Sequence, residues 1–252
     1  MPFMHIDVES IERATLAAVP PAALQEMPGW LLGLDSGTVG RAHSAVPLQH
    51  AAPDPAVVAQ IEQCYAAHGL KPTFRLPLVA SFESFRDALA RRGYAPSQPT
   101  RVQVGSSHAV QQLPGGSPQG ADLELAATPD EAWASVFLGE GFDPVDGANR
   151  VRLLGRAQDA VFASLRVDGR AVAAGAASFS HGWASIHGMR TALSHRGQGL
   201  ASRILASLSS RAQARGITSV FLQVDAENTR AQDLYQRAGF ATAWTYDYWR
   251  KP

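Results

Sequence analysis

Between residues 196 and 201 the chain reads Arg196-Gly197-Gln198-Gly199-Leu200-Ala201, two glycines and a cation placed just ahead of an apolar-periodic stretch. Glycines lack Cβ, so the backbone N–H groups there can close on a ligand, and the start of the following helix favours an anion. That is the chemistry of a phosphate cradle, and three loops of this kind compete. A Walker loop ends in Gly-Lys-Ser/Thr, and no lysine is near. A dinucleotide fingerprint needs a third glycine where Ser202 stands, and a parallel βαβ unit opening the domain. Both are rejected. The shorter spacing, Arg196-x-x-Gly199-x-Ala201, fits the third.

The elements that position this loop are legible around it. Leu123–Ala126 reads as a short strand, and Thr128-Pro129 opens a helix with Asp130 and Glu131 in its first turn. Gly139–Asn149 reads as a loop. Val161–Val167 and Ala171–Phe179 alternate about an Asp168-Gly169 turn, and Ala184–Thr191 is a third strand. Leu200, Ile204, Leu205, Leu208 and Ala212 recur at helical spacing until Gly216. Val220–Val224 is a strand, Asn228 or Thr229 caps a helix carrying Ala231, Leu234 and Tyr235, Gly239 ends it, and a last strand runs from Ala241 to Trp249. The fold class is therefore mixed α/β, with antiparallel hairpins first and crossovers later.

The first half carries a fainter version of the same order. Trp30–Leu34 and Thr38–Ser44 read as a hairpin about Asp35-Ser36-Gly37. Pro55–His68, Thr73–Leu78, Phe82–Arg92 and Arg101–Val104 read as helix, strand, helix and strand. Gly69 and Gly216 lie 147 residues apart and Gly93 and Gly239 lie 146 apart, a spacing consistent with an internal duplication. The stretch Gly105–Ala121, with four glycines and two prolines, reads as a linker. The expected division is residues 1–108, a linker 109–121, and 122–252.

Arg196-x-x-Gly199-x-Ala201, followed after one strand by Asn228, Ala231, Leu234-Tyr235 and Gly239-Phe240, resembles the paired motifs of the GCN5-related N-acetyltransferases, the GNAT superfamily. The resemblance covers essentially all of residues 121–252. The first half is similar to the degenerate first domain of bacterial tandem GNAT proteins. A 147-residue offset lays Gln49–Asp54 on the loop, and that stretch has no glycine.

The resemblance implies a central mixed sheet and transfer of acetyl from acetyl-CoA to a primary amine by direct attack in a ternary complex. It implies that the amides of Arg196, Gly197, Gln198, Gly199, Leu200 and Ala201 face the pyrophosphate. Met189, Arg190 and Thr191 would then line the pantetheine arm, with one N–H aimed at the thioester carbonyl. Tyr235 falls where the family places a tyrosine beside the departing thiolate, and Asn228 either contacts the pantetheine or caps its helix. The family's glutamate, eleven residues before Arg196, is Ser185 here. His187 shares its strand face and suits proton relay as well as core packing. Glu140, Asp225 and Glu227 are other candidate bases. Trp133, Phe137, Phe142, Tyr246 and Tyr248 suit either an acceptor pocket or the core.

Composition bounds the rest. The 252 residues are 46% hydrophobic and 17% charged, and 22 basic balance 22 acidic residues. Neither half is strongly charged, which argues against a broad nucleic-acid or anionic-membrane footprint and tilts the acceptor toward a small amine such as an amino acid or an antibiotic-like compound. A peptide amine, or a catalytically idle acyl-CoA-binding role, stays open, as does monomer against homodimer. The single cysteine, Cys64, and the absence of paired metal-ligand spacing lead to an expectation of no disulfide and no metal. No secretory signal or membrane-length apolar run is apparent, so the expected compartment is the cytoplasm.

Overall fold

The computed structural model describes residues 6–116 and 121–252. The elements in chain order are α1 (Val8–Ala18), β1 (Ala23–Met27), β2 (Trp30–Leu34), β3 (Ala45–Pro47), α2 (Val57–Ala67), β4 (Phe74–Pro77), α3 (Glu83–Arg91), β5 (Ala95–Ser106), α4 (Ser107–Gln111), β6 (Ala121–Ala126), α5 (Glu131–Leu138), α6 (Pro144–Leu154), β7 (Ala160–Val167), β8 (Arg170–Ser180), β9 (Trp183–Thr191), α7 (Leu200–Ala214), β10 (Ser219–Asp225), α8 (Thr229–Arg237) and β11 (Ala241–Arg250). All eleven strands share one mixed sheet, in the order β1-β2-β3-β4-β11-β5-β10-β9-β8-β7-β6.

The glycines at both duplicated positions adopt φ between +67° and +84°, the left-handed turn that ends a helix and that only glycine adopts at low cost. Gly69 closes α2, Gly216 closes α7, Gly93 closes α3 and Gly239 closes α8. The unit α2-β4-α3-β5 is therefore echoed by α7-β10-α8-β11. The sheet order shows how the two units combine. β5 lies antiparallel to β10, and β11 lies antiparallel to β4, while β5 and β11 pair with each other at the centre. Each unit's last strand thus completes the other unit's sheet. Residues 95–106, inside the first of the two stretches read from the sequence, belong to the ladder that β10 and β11 build. Strand partners are chosen by long-range pairing, which local composition does not report.

The expected linker is partly corrected. Its first residues form α4, whose Val110 is sealed into the same core as α7. Gly115 lies against Arg203 of α7 and Gly116 against the loop ahead of that helix: a Cβ on Gly116 would stand 1.8 Å from the Gln198 carbonyl oxygen. Residues 117–120 of that stretch lie outside the described residues.

Two further helices were not read from the sequence. In α1, Asp7 accepts a hydrogen bond from the Ser10 N–H at 3.2 Å and caps the helix. Ile11 and Ala14 bury its inner face against Val102, Phe221 and Tyr246. In α6, which occupies half of the expected 139–149 loop, Asp143 accepts from the Asp146 N–H at 2.8 Å and Pro144 opens the first turn. Gly147 lies inside this helix. It is there for packing, since a Cβ would stand 2.2 Å from the Phe137 carbonyl oxygen. The expected strand over Thr38–Ser44 is instead a 3-10 turn, Gly40–His43, before β3. β2 makes its hairpin with β1 across Pro28-Gly29, where Gly29 has φ +78°.

The helices cover opposite faces of the sheet. α7, with Tyr235 of α8, packs on Leu222 and Val224 of β10. α1 covers the other face, over Phe221 and Tyr246. Alternation along β10 sends neighbouring residues to opposite faces, so the strand separates two environments.

Candidate active site

β9 and β10 run parallel and are paired from Trp183–Ser219 to Ile186–Leu222, and no further. β9 continues to Thr191 and β10 to Asp225, so the two strands part and leave a gap in the sheet. Beyond Ile186 the β9 edge facing β10 has no strand partner, and its N–H and C=O groups are available to a ligand lying in the gap. The register between β8 and β9 slips at this point, between Ala174–Arg190 and Ala176–His187, and Gly188 adopts φ +62°. A bulge of this kind re-aims the backbone next to a site. A cleft of about 760 Å³ runs through the opening. Leu222, Val224 and Tyr235 line it from the α7 face, and Tyr246 and Tyr248 line it from the α1 face.

The glycine loop forms the α7 end of the cleft. Gly199 is the helix N-cap, at φ +75°, and no side chain caps the first turn. The leading N–H groups of a 15-residue helix are thereby left for an anion. Gly197, at φ +83°, has space where a Cβ would lie, with the Arg230 guanidinium 3.7 Å from that point. Arg196 donates from Nε to the Thr191 carbonyl at 3.3 Å, which holds its side chain at the loop. Donors, dipole and two cations suit a pyrophosphate, so the residues present fit the coenzyme that the loop motif implies. Gln198 departs from expectation. Gly197, Gly199, Leu200 and Ala201 line the cleft, whereas Gln198 does not, and its carbonyl turns outward toward Gly116.

Gly199→Ala carries two penalties. The left-handed conformation costs a residue with Cβ about 1–2 kcal/mol, and the new methyl would stand 2.5 Å from the Gly116 backbone nitrogen. The expected result is a lower melting temperature and a smaller stabilisation by acetyl-CoA, both read by thermal unfolding with and without the ligand. Wild-type values for both would show that the loop tolerates a side chain.

The remaining expected residues separate into three groups. Met189, Arg190 and Thr191 line the cleft along the unpaired edge of β9. The Met189 sulfur packs where Gly175 leaves room, and the Arg190 guanidinium lies 4.0 Å from the Phe142 ring centre and 3.5 Å from Asp146. Asn228 lines the cleft and also accepts from the Ala231 N–H at 3.1 Å, so its capping role is seen directly. Tyr235 packs edge-on to Phe240 at 5.9 Å. Its hydroxyl has no hydrogen-bond partner among the described residues, yet is not sealed off, and burial pushes its pKa up to about 12. It stays protonated at neutral pH.

His187 is buried on the α1 face, where its Nε2 is hydrogen-bonded to Ser185 Oγ. Among the described residues its Nδ1 has no hydrogen-bond partner, and it is not sealed off from the cleft. Burial, with Arg41 nearby, holds its pKa well below the usual imidazole range. An unfolded chain takes up that proton near pH 6.5 while the folded ring stays neutral, so stability falls as pH drops below about 6.5. His187→Gln is expected to shrink the loss in melting temperature between about pH 7.5 and about pH 5.5. His43 and His50, also depressed by burial, keep part of that loss. An unchanged difference between the two pH values would contradict the burial effect.

Glu140 and Glu227 are exposed and do not line the cleft, whereas Asp225 does and accepts from the Glu227 N–H at 2.9 Å. Trp133 and Phe137 are core, Trp133 donating to the Gly175 carbonyl at 3.1 Å, while Phe142, Tyr246 and Tyr248 reach the cleft. Arg41, Thr100 and Gln223 also line it and were not foreseen. Arg41 and Thr100 come from the first half, whose contribution depends on the strand exchange. Among the described residues no group of three His, Cys, Asp or Glu is arranged to hold a metal, and no helix is long and apolar enough to cross a membrane.

A family described as the C-terminal region of probable histone acetyltransferase Rv0428c matches residues 6–249, both halves and the cleft between them. The chain belongs to that acetyltransferase family. It is 25% identical over 244 residues to the uncharacterized N-acetyltransferase YobR of Bacillus subtilis, covering 96% of this chain and 98% of that protein. A GCN5-related N-acetyltransferase from Kribbella flavida superposes with a TM-score of 0.72 at 18% identity, over 99% of this chain and 97% of its own. A tandem GNAT protein from the clavulanic acid biosynthesis pathway gives 0.66 at 16% identity, over 95% and 86%. The fold is that of the GNAT proteins.

Proposed function

We propose that this protein moves an acetyl group from acetyl-CoA to the primary amine of a small molecule by direct attack, with both substrates held in the cleft. One observation carries the reading: the cleft joins the glycine loop on the α7 face to Tyr246 and Tyr248 on the α1 face through the gap between β9 and β10. The coenzyme supplies an activated acetyl thioester. The amides of Gly197, Gly199, Leu200 and Ala201, with Arg196 and Arg230, hold its phosphates. The unpaired edge of β9 at Met189–Thr191 offers hydrogen bonds to the extended arm and to the carbonyl oxygen, where charge grows during attack. Tyr235 keeps its proton on Oη and donates it toward the departing sulfur. His187 can serve the amine: with Nε2–H given to Ser185, Nδ1 keeps a lone pair directed at the acceptor side.

Charge in the cleft opposes the peptide alternative. Among the described residues, six arginines line it (41, 150, 190, 196, 230 and 237) against one carboxylate, Asp225. A lysine-rich tail would meet repulsion on entry. Calorimetry with acetyl-CoA, followed by thiol release on a panel of small amines and lysine peptides, tests the assignment. Binding and turnover on small amines are expected. Absence of binding overturns the coenzyme assignment, and binding with no turnover on any amine favours an idle acyl-CoA-binding protein.

A further inference from the structure

Arg41 sits in the 3-10 turn of the first half and lines the cleft next to the tyrosines of β11. Its neighbour Gly40 shows how tight that wall is, since a Cβ there would stand 2.8 Å from the Tyr248 ring. Among the described residues Arg41 has no hydrogen-bond or ion-pair partner, and its Nε is shut off from solvent without one. A guanidinium offers five donors in a planar fork; here the Nε is buried without an acceptor, which is costly unless a ligand takes it, and the other donors are open toward the cleft. Glu12, a carboxylate that feels the charge of Arg41, is already committed: it is fully buried and pairs with buried Arg75 at 2.5 Å. That pair is neutral as a unit, so the charge on Arg41 stays unbalanced. Arg250, lying 4.7 Å from the Tyr248 ring centre, adds to the positive field. The cleft arginines near the glycine loop have the coenzyme phosphates to answer them, whereas Arg41 on the opposite face does not.

We propose that Arg41 binds an anionic group of the acceptor, a carboxylate in a planar two-point contact, so that the amine acetylated here belongs to a zwitterionic small molecule of the amino-acid class. This rests on the acetyl-transfer reading and adds the acceptor's chemistry to it. The cation fixes the acid end of the acceptor beside Tyr246 and Tyr248, and the amine is left facing His187 and the gap between β9 and β10. A phosphate on an aminoalcohol shares the charge and is distinguished by the test.

The test compares three series of primary amines with matched skeletons: free amino acids, their carboxamides, and aminoalkyl phosphates. Acetyl-CoA-dependent thiol release and ligand-observed NMR binding are both measured, on wild type, Arg41→Gln and Arg41→Lys. The expected result is a preference for the free acids over the amides, lowered about 10- to 100-fold in Arg41→Gln, as for loss of a hydrogen bond to a charged group, and partly restored by Lys. Equal use of acids and amides by wild type overturns the proposal. So does a preference that Arg41→Gln leaves intact, or one for the phosphates over the acids. Calorimetry of acetyl-CoA on the wild-type protein runs alongside. Failure there sinks acetyl transfer itself, whereas normal binding with no acid preference sinks only the role of Arg41.

Discussion

Tyr235→Phe is expected to lower kcat by about 100-fold while acetyl-CoA affinity stays near the wild-type value. The substitution removes one oxygen. The ring keeps its edge-on contact with Phe240 at 5.9 Å and its place in the α7-side core, so no cavity is opened. Among the described residues the hydroxyl has no partner to leave stranded, which removes the usual cost of deleting one half of a hydrogen bond. Stability is therefore expected to stay within about 0.5 kcal/mol. The effect falls on chemistry because a phenol whose pKa burial has pushed up to about 12 is a proton donor throughout the neutral range. General acid catalysis contributes about 10²–10⁴-fold, and a thiolate is a better leaving group than an alkoxide, which places this case at the lower end. Single-turnover measurements with saturating acetyl-CoA separate the two parameters. A kcat within about threefold of wild type would remove Tyr235 from the chemistry and leave it as a packing residue.

The part of the site that was legible is the part encoded by spacing. Glycines at 197 and 199 ahead of a helical run announce a loop with left-handed turns, and the structure has them at φ +83° and +75°. Asn228 three residues before Ala231 announces a cap, and the hydrogen bond is there. Both signals are local, because a turn or a cap is decided by a few neighbouring residues. The acceptor wall is decided otherwise. Arg41 and Tyr248 are far apart in the chain, and they line one cleft, with Gly40 against the Tyr248 ring, only because β11 crosses into the first half's sheet beside β4. No periodicity near residue 41 carries that information. Gly147 of α6 is opaque for a related reason: a glycine weakens a helix, and only the Phe137 carbonyl against it shows why the helix has one.

The same crossing sets the largest effect expected from any truncation. Residues 122–252 contain the glycine loop, Tyr235 and the gap between β9 and β10, and by motif they look sufficient. In the folded chain, however, β10 is paired with β5 over seven residues from Ser219 to Asp225, and β11 is paired with β5 and β4 on its two edges. Cutting the chain at the glycine-rich stretch strips β10 of one neighbour and β11 of both. It also uncovers Phe221 and Tyr246, because α1 leaves with the first half. Exposed ladder edges beside apolar surface promote aggregation. The fragment 122–252 expressed alone is therefore expected to be insoluble, or soluble without cooperative unfolding and without acetyl-CoA binding. Co-expression with residues 1–116 is expected to restore a soluble heterodimer that binds acetyl-CoA, since the exchange of β5 and β11 requires no covalent link between the halves. A monomeric 122–252 fragment that unfolds cooperatively and binds acetyl-CoA would show that β10 and β11 can pair directly, and that the exchange is dispensable for the catalytic half.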